Sequence, residues 1–303
     1  MKTFIYKLMI FIIPVFFLAL TIEVLIRLIP NDYLLKKDYL DKNSDKIEVL
    51  ILGSSHSFFD LNPVYFSNNC FNAGYVTQTL DLDLKILKKY DNKWSSLRTV
   101  VIPISYFTLF DKLQEGAESW RVKNYTIYYK MYASKSFKNY SEVLSNSLEV
   151  ILKRISSYYI KGENPRSSSS LGWGNVYNSK DGINLVESGK YAAKKHTYND
   201  FHLYPENLLT LDSIIRLCKR RNARLILFTP PAYETYRDNL NKDQLTLTIQ
   251  KSRDIANSNN NCTYINLLAD TIFKASDFFD ADHLNEIGAK KLSLLINGII
   301  VGH

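Results

Sequence analysis

Five short apolar runs, separated by longer polar stretches, constrain the fold of this chain more than any other feature. The runs cover residues 47–52, 70–72, 98–104, 223–229 and 262–267. Runs of this length that are rich in β-branched residues are typical of strands buried on both faces. Apolar residues recur at helical spacing over 78–90, 206–221, 243–257 and 286–299. This alternation predicts an α/β fold, a three-layer α/β/α domain on a mostly parallel, five-stranded, doubly wound sheet.

The composition fits a folded protein and excludes a mainly disordered protein, a collagen-like chain and a coiled coil. Of 303 residues, 46% are hydrophobic and 22% charged, which is ordinary for a chain that buries a core. The net charge is +8, but the basic residues are scattered, without a block of five and without a zinc-finger or RNP-like motif. We therefore predict no nucleic-acid partner. Since no His, Cys and Asp residues show metal-site spacing either, we predict no metal and no cofactor.

The amino terminus carries an uncharged apolar run over residues 9–22, followed by Glu23 and Arg27. A helix needs about 20 mostly apolar residues to cross the hydrocarbon core of a membrane, and Arg27 extends the span by reaching back to the surface. We predict an uncleaved membrane anchor. A cleaved signal peptide is the main alternative, although residues 19–21 make a poor cleavage site, and a buried core helix is a third.

The charges that precede this run predict its orientation. Lys2 and Lys7 are expected on the cytoplasmic side, because cytoplasmic flanks carry the excess of positive charge. The rest of the chain then lies outside the cytoplasm. We therefore predict a single-pass protein of the cell membrane with an extracytoplasmic domain, periplasmic or extracellular.

We divide the chain into an anchor at 1–29, a polar connector at 30–46 and an α/β domain at 47–303. The stretch at about 105–205 is too long for one connection between neighbouring elements. It is rich in tyrosine and serine and contains the motif Gly172-Trp173-Gly174. We interpret it as an insertion that forms a lid or a substrate-binding subdomain.

The first strand ends in Gly53-Ser54-Ser55-His56, directly before a predicted helix start. Gly53 permits a tight turn, and the N–H groups that begin a helix carry a partial positive charge. A serine at such a turn suits a nucleophile whose attack creates an oxyanion. A helix cap or a phosphate-binding turn would use the same residues, so the turn alone does not establish catalysis.

A second candidate pair, Asp280 and His283, precedes the last predicted helix. A general-base histidine needs a carboxylate at one ring nitrogen while its other nitrogen faces the nucleophile. An aspartate three residues earlier in a loop can provide that carboxylate. Asp280 is also a good helix cap, so the pair gains specificity only together with the serine turn.

Three short sequence blocks follow the first strand, follow the second strand and precede the last helix. They are Gly53-Ser54-Ser55, Asn72-Ala73-Gly74 and Asp280-x-x-His283. With these blocks the chain resembles the SGNH (GDSL-like) hydrolase superfamily over about residues 47–300, apart from the insertion. The resemblance implies that Ser55 is the nucleophile and that Asp280 and His283 complete its triad. It also implies that the backbone N–H of Gly74 helps to bind the oxyanion.

The stretches ILGSSHSFF, PPAYETY and DADHLNEIGAKKL, behind a membrane anchor, are most similar to one anchored branch of that superfamily. This branch includes the D-alanyl-transfer protein DltD and proteins associated with polysaccharide O-acylation. The resemblance implies a serine esterase or acyltransferase that acts on cell-surface polysaccharide through an acyl-Ser55 intermediate. It further implies a multi-span membrane acyltransferase as a partner. Water as acceptor would make the protein an esterase and a sugar hydroxyl a transferase, and the anchor favours transfer.

The chain departs from the family at the third block, where an asparagine usually completes the oxyanion hole. Here the third strand ends in Pro103-Ile104-Ser105-Tyr106, without an asparagine nearby. We expect Ser105 to donate instead. One missing donor typically costs about 10²–10³ in rate. Two alternatives are therefore a substrate held in another way and a non-catalytic, membrane-anchored assembly or glycan-binding protein.

Three further residues are candidates for binding substrate. His56 is next to the nucleophile, Tyr106 follows the third strand, and Tyr233 follows the fourth. All three lie near the carboxyl ends of predicted strands, where open α/β sheets bind their ligands. A packed position is the simpler interpretation of His56, and a role beside a rigid proline turn is the simpler one for Tyr233.

Overall fold

A parallel sheet of short strands organises the larger part of the chain. The computed structural model describes residues 2–302. Its strands are β1 (Val49–Ile51), β2 (Cys70–Asn72), β3 (Thr99–Pro103), β4 (Arg224–Thr229) and β5 (Cys262–Asn266). They lie in the order β2-β1-β3-β4-β5, and every neighbouring pair is parallel. Each strand lies within a predicted apolar run, so the predicted five-stranded α/β fold is confirmed.

Helices account for most of the remaining regular structure. In chain order they are α1 (Lys2–Leu28), α2 (Asp32–Asn43), α3 (Ser55–Phe58), α4 (Leu80–Lys89), α5 (Val122–Ile127), α6 (Glu142–Ser145), α7 (Leu148–Ile155), α8 (Leu185–His196), α9 (Tyr204–Arg220), α10 (Glu234–Arg237), α11 (Lys242–Ser258) and α12 (Glu286–Val301). The four predicted helices correspond to α4, α9, α11 and α12, with ends shifted by at most two residues.

The chain forms two compact units. The sheet unit comprises Asp38–Glu118 and Ser167–His303, and the helix unit comprises Met1–Lys37 and Ser119–Arg166. The stretch that we interpret as an insertion is therefore divided between the two units. The predicted connector contains α2. The domain boundaries at residues 29 and 46 stay predictions.

One face of the sheet packs on α12 in the sheet unit. Alternate side chains of a strand point to the same face. One buried cluster accordingly contains Val49, Ile51, Ile226 and Phe228 from the strands together with Leu292 and Ile296 from α12. Burying a large apolar side chain contributes about 1.5–3 kcal/mol to stability, so this cluster holds α12, and the loop before it, firmly on the sheet.

The strand order places one crevice at the carboxyl edge of the sheet. β1 pairs with β2 on one side and with β3 on the other, so the connection that leaves β1 for β2 and the one that leaves β3 for β4 run in opposite directions. Ligands of open α/β sheets bind at such a switch point. The Gly53–Ser55 turn and the segment after β3 therefore meet where the topology predicts a site.

In the helix unit, α1 is apolar and almost entirely exposed. It is long and apolar enough to cross a membrane, and 6% of its most apolar window is buried. A core helix of a soluble domain would be mostly buried, so that alternative does not fit. A signal sequence would meet the same criteria of length and composition, and the orientation of α1 stays a prediction.

Candidate active site

Ser55 lies at the first position of α3, directly after the turn that leaves β1. The backbone of Gly53 is left-handed, with φ of 107°, and a Cβ there would lie 2.6 Å from Cδ of Pro103. Only glycine fits both requirements. The backbone N–H of Gly53 donates to Oδ1 of Asp83 at 2.9 Å, and this hydrogen bond holds the turn in place. The turn thus presents the Ser55 hydroxyl at the edge of the sheet.

His283 links Ser55 to Asp280. Its Nε2 lies 2.8 Å from Oγ of Ser55, and its Nδ1 lies 3.0 Å from both carboxylate oxygens of Asp280. Oδ1 of Asp280 also accepts the backbone N–H groups of Asp282 and His283, at 3.0 and 2.8 Å. The loop before α12 therefore holds the carboxylate in one orientation. The three residues selected from sequence form a hydrogen-bonded chain from hydroxyl to imidazole to carboxylate.

The electrostatics of the hydrogen-bonded series Ser55–His283–Asp280 favour a charged imidazole at His283. Burial by itself lowers the pKa of His283, but the adjacent carboxylates, Asp280 above all, outweigh it and raise the pKa above the ordinary value. Burial likewise raises the pKa of Asp280, and the attraction of His283 outweighs it and holds that pKa below its usual range. An imidazolium that forms when Ser55 loses its proton is therefore stabilised in place.

His56 lies beneath His283 in a buried polar layer. The two imidazole rings stack at 4.8 Å with an interplanar angle of 26°. Nε2 of His56 lies 2.6 Å from the carbonyl oxygen of Asp282, so this nitrogen must carry a hydrogen and donate. Burial lowers the pKa of His56 well below its usual range, which keeps the ring neutral. Its Nδ1 is therefore an acceptor.

This tautomer determines what Ser105 does. Oγ of Ser105 lies 2.8 Å from Nδ1 of His56, so the hydroxyl donates its hydrogen to that nitrogen. Its backbone N–H donates to Oγ1 of Thr108 at 2.9 Å, and the residue is 2% exposed. In this arrangement Ser105 supports His56 and has no hydrogen left to donate to an oxyanion. The predicted oxyanion role of Ser105 does not agree with this geometry.

Gly74 lies close to the turn, as the sequence blocks require, but its N–H group is occupied. A Cβ at Gly74 would lie 2.8 Å from the carbonyl oxygen of Gly53, so only glycine allows the approach of the two loops. The N–H of Gly74 donates to Oδ1 of Asn72 at 3.0 Å. Asn72 in turn donates to the carbonyl oxygens of Ser57 and Leu61, which fixes its orientation.

The two tyrosines selected from sequence do not line the cleft beside Ser55. Tyr106 is buried, and its hydroxyl lies 2.9 Å from Oγ1 of Thr197 and accepts the N–H of Asn241. Tyr233 donates its N–H to the carbonyl oxygen of Ala281 at 2.8 Å, so it braces the loop that carries Asp280. The structure thus places Tyr233 in support of the site and Tyr106 in the packing against α11.

A cleft of about 330 Å³ opens beside Ser55 and His283. Its walls are mostly aromatic and charged side chains, which are Phe59, Phe107, Tyr177, Tyr198, Asp111, Glu118 and Lys195. The ring of Tyr177 stacks between the rings of Phe59 and Phe279. Its centroid lies 3.7 Å from that of Phe59 and 3.9 Å from that of Phe279. A second recess of about 410 Å³ lies on the Asp280 side of His283 and shares Tyr177, Lys195 and His196 with the first.

Sequence reasoning missed the residues of these walls. Tyr177, Lys195 and Tyr198 all come from the stretch that we assigned only as a lid or subdomain. The motif Gly172-Trp173-Gly174 was the available signal. Nε1 of Trp173 donates to the carbonyl oxygen of Phe59 at 2.6 Å, and a Cβ at Gly174 would lie 2.5 Å from the ring of Phe58. The motif therefore fastens this wall to α3.

One group of side chains, His56, Asp282 and His283, is close enough to hold a metal ion, with candidate ligand atoms within 4.8 Å of one another. Both ring nitrogens of His283 already bind Ser55 and Asp280, and Nε2 of His56 binds a backbone carbonyl. A metal ion would have to break the hydrogen bonds from hydroxyl to carboxylate. The group fits a hydrogen-bonded site better than a metal site.

Comparisons with known proteins find weak similarities of structure. No family model matches the chain, and no curated protein does. A Bacteroides fragilis protein with the provisional name of an acylhydrolase has a TM-score of 0.43 at 12% identity, over 87% of this chain and 94% of its own. A Streptococcus pneumoniae protein with the provisional name platelet activating factor has a TM-score of 0.45 at 11% identity, over 97% and 99%. Because both similarities are weak, we assign the fold from the strand order itself.

Proposed function

We propose that this protein is a membrane-anchored serine acyl-transfer enzyme of the SGNH type, which forms an acyl ester on Ser55. The observation that carries the proposal is the chain of contacts at His283, 2.8 Å from the Ser55 hydroxyl and 3.0 Å from the Asp280 carboxylate. A serine, a histidine and an aspartate in this order are the components that activate a hydroxyl for attack on an acyl carbonyl.

The first half of the reaction transfers the acyl group to the protein. Nε2 of His283 takes the hydroxyl proton as Oγ of Ser55 bonds to the acyl carbonyl carbon, and the carbonyl π electrons move to oxygen. Asp280 holds the imidazolium through Nδ1. When the C–O bond to the leaving alcohol breaks, that alcohol takes the proton from His283. An acyl-Ser55 ester and a neutral imidazole remain.

The second half transfers the acyl group to an acceptor hydroxyl. The acceptor gives its proton to Nε2 of His283 and its oxygen bonds to the acyl carbon. Oγ of Ser55 then leaves and recovers a proton from His283. Water as the acceptor makes the reaction an ester hydrolysis, and a sugar hydroxyl makes it an O-acyl transfer.

In both halves of the reaction, the backbone N–H of Ser55 is the group best placed to donate a hydrogen bond to the oxyanion. This group lies in the first turn of α3, where a helix offers its N–H groups no internal acceptor. Gly74 can contribute only if its N–H leaves Asn72, and catalytic hydrogen bonds often tighten only when substrate binds. The site offers few N–H groups that could donate to an oxyanion. This also favours the second candidate function, a non-catalytic assembly or glycan-binding protein on the same fold.

We further propose cell-surface polysaccharide as the acyl acceptor or ester substrate, and an extracytoplasmic location. Lys195, Glu118 and Asp111 line the cleft beside Ser55 and offer polar partners for the hydroxyl groups of a sugar. The resemblance to the DltD branch supports a multi-span membrane acyltransferase as the donor of acyl groups. α1 would hold the enzyme beside such a partner.

An assay of the purified full chain in detergent tests the proposal. We expect the chain to release p-nitrophenol from p-nitrophenyl acetate, and an O-acetylated product to appear when a hexose oligosaccharide is added. Ser55→Ala should abolish both signals. Ser54→Ala should retain most of the activity, because the Ser54 hydroxyl has no hydrogen-bond partner among residues 2–302. Hydrolysis that resists the Ser55 substitution contradicts the proposal. A chain that forms no acyl-Ser55 but still binds the oligosaccharide favours the non-catalytic candidate.

A further inference from the structure

Large apolar side chains of the helix unit are exposed on the segment 119–166. We call five of them the interfacial patch, namely Phe137, Leu144, Leu148, Leu152 and Ile160, and each is more than half exposed. Aromatic side chains with exposed surface accompany them, namely Trp120, Tyr132, Tyr140 and Tyr159. Exposed apolar residues in such numbers are typical of a surface that binds another protein or a membrane.

Helix α7 exposes two leucines, Leu148 and Leu152, on one face. Ser147 caps it by accepting the N–H of Val150, and Ile151 is the residue that the helix buries. Leu148 and Leu152 are one turn apart and share a face on the exposed side of the helix. The exposure of this face is therefore fixed by the fold of the unit and is not the property of a loose loop.

The segment is fastened to the carboxyl-terminal end of α1. The Glu23 carboxylate accepts the hydroxyl of Ser141 at 2.7 Å and the N–H groups of Glu142 and Val143 at 3.0 and 2.9 Å. Arg27 donates to the carbonyl oxygen of Tyr140 at 2.7 Å. Glu23 thus acts as a cap for α6, and the first charged residue after the apolar run of α1 is bound to the segment.

A second contact fixes the far side of the segment to the same end of α1. The hydroxyl of Tyr159 donates to the carbonyl oxygen of Leu25 at 2.9 Å. With contacts near residue 141 and at residue 159, the segment between them, which holds most of the patch, cannot move far along α1.

These contacts determine the depth of the segment if α1 crosses a membrane. Glu23 follows directly on the charge-free run, and Arg27 lies about 6 Å further along the axis at 1.5 Å per residue. Charged residues at the end of a span lie at the level of the lipid headgroups. Backbone groups within hydrogen-bond distance of Glu23 and Arg27 must lie at that level too.

The charge of the segment matches the same surface. Between residues 119 and 166 the sequence has nine Lys and Arg residues against three Glu. Those near the patch that are exposed include Lys135, Lys138, Lys153 and Lys161. Apolar residues with interleaved basic residues are the composition of helices that lie in the plane of a membrane with anionic lipid.

We propose that the segment 119–166 lies in the lipid headgroup region around α1, with the interfacial patch in contact with the bilayer. The segment then acts as a second, in-plane attachment beside the spanning helix. This inference rests on the proposed membrane anchoring by α1, and it is independent of the chemistry at Ser55. It also replaces the interpretation of this part of the insertion as a lid.

Site-specific fluorescence in vesicles tests the inference on the full chain. The three native cysteines are buried, so one introduced exposed cysteine takes up an NBD label selectively. The informative variant is Leu148→Cys. Leu209→Cys on α9 is the matched control, because the two leucines are 64% and 68% exposed. Phe16→Cys reports whether α1 is inserted. The vesicles contain phosphatidylcholine and phosphatidylglycerol.

The inference predicts that the label at residue 148 is quenched by headgroup-level nitroxide lipid several-fold more than the label at 209. It also predicts that aqueous iodide quenches the label at 148 several-fold less. Equal iodide quenching at 148 and 209, with the label at 16 protected, overturns the inference and leaves the anchor intact. A label at 16 that iodide reaches freely overturns both the anchor and the inference.

Discussion

Two carboxylates, Glu142 in the helix unit and Asp280 in the sheet unit, are both largely removed from water but have partners of different chemistry. Glu142 accepts from Lys123 at 2.9 Å and from Arg154 at 2.8 Å, and also from the hydroxyl of Tyr128. Asp280 accepts from the imidazole of His283 and from two loop N–H groups. The guanidinium of Arg154 keeps its charge at neutral pH, whereas His283 can gain and lose a proton.

The difference separates a structural from a chemical use of a buried charge. A carboxylate fixed by a guanidinium and a lysine side chain can only hold its unit together. A carboxylate on an imidazole whose other nitrogen meets a hydroxyl makes a proton transfer easier. On this account, substitutions at the two sites should separate activity from stability.

The largest effect is expected for Asp280→Asn. The amide oxygen can still accept the N–H groups of Asp282 and His283, so the loop keeps its form, but His283 loses the charge that holds its tautomer. We expect the turnover of p-nitrophenyl acetate to fall about 10⁴-fold. A variant that keeps most of its turnover would remove Asp280 from the mechanism.

Glu142→Gln should show the opposite pattern. Lys123 and Arg154 would be left with unpaired charge, which typically costs about 3–5 kcal/mol for a buried pair. Hydrogen exchange of residues 119–166, measured on the full chain in detergent, should speed up. The turnover per folded molecule should stay near that of the native protein. Slow exchange in the variant would mean that the cluster contributes little to this unit.

The two sites should also respond to pH in different ranges. Burial raises the pKa of Glu142, but Arg154 and Lys123 outweigh it and lower the pKa to about 2, so its stabilising contribution is complete above an unfolded-state pKa of about 4.5. That contribution is lost as the pH falls towards 2.

The pKa of His283 is shifted in the opposite direction from that of Glu142. Its pKa is raised, and catalysis needs the neutral ring, so kcat/KM should rise with pH along a limb that lies above the ordinary histidine value of 6.5. The residual activity of Asp280→Asn should have its limb at lower pH. Profiles of kcat/KM, compared with hydrogen exchange at acid pH, test both statements. A limb that does not move on substitution of Asp280 would contradict the assigned cause.

The smallest effect is expected for Ser105→Ala. Loss of this hydroxyl leaves Nδ1 of His56 without its donor, which typically costs about 1–3 kcal/mol in stability. Turnover should fall by about tenfold or less. A loss of 10²–10³, the usual cost of an oxyanion donor, would restore the role that the sequence suggested for Ser105. Ser105→Thr, which keeps a hydroxyl, is the control.

The parts of the protein that sequence predicted best are those where local pattern and tertiary environment agree. The buried strands must be apolar on both faces, so their runs are visible without a structure, and β2 at residues 70–72 was predicted to the residue. Ser55, Asp280 and His283 were selected from a serine turn, from an aspartate three residues before a histidine and from the resemblance to the SGNH superfamily, and the structure brings the three side chains together.

The parts that sequence could not predict depend on contacts between distant residues. The role of Ser105 is set by the tautomer of His56, which in turn depends on a carbonyl group 226 residues away. Tyr177 and Lys195 reach the cleft because Trp173 and Gly174 pack on α3, and no spacing in the sequence encodes that contact. The division of residues 105–205 between two units was hidden for the same reason.

The central claim is that the Ser55 hydroxyl is activated by His283, and covalent labelling tests it most directly. The full chain in detergent is treated with a fluorophosphonate, digested and analysed by mass spectrometry. We predict one phosphonylated residue, Ser55, and loss of labelling in His283→Ala. Labelling at another serine, or equal labelling of native protein and His283→Ala, would contradict the account.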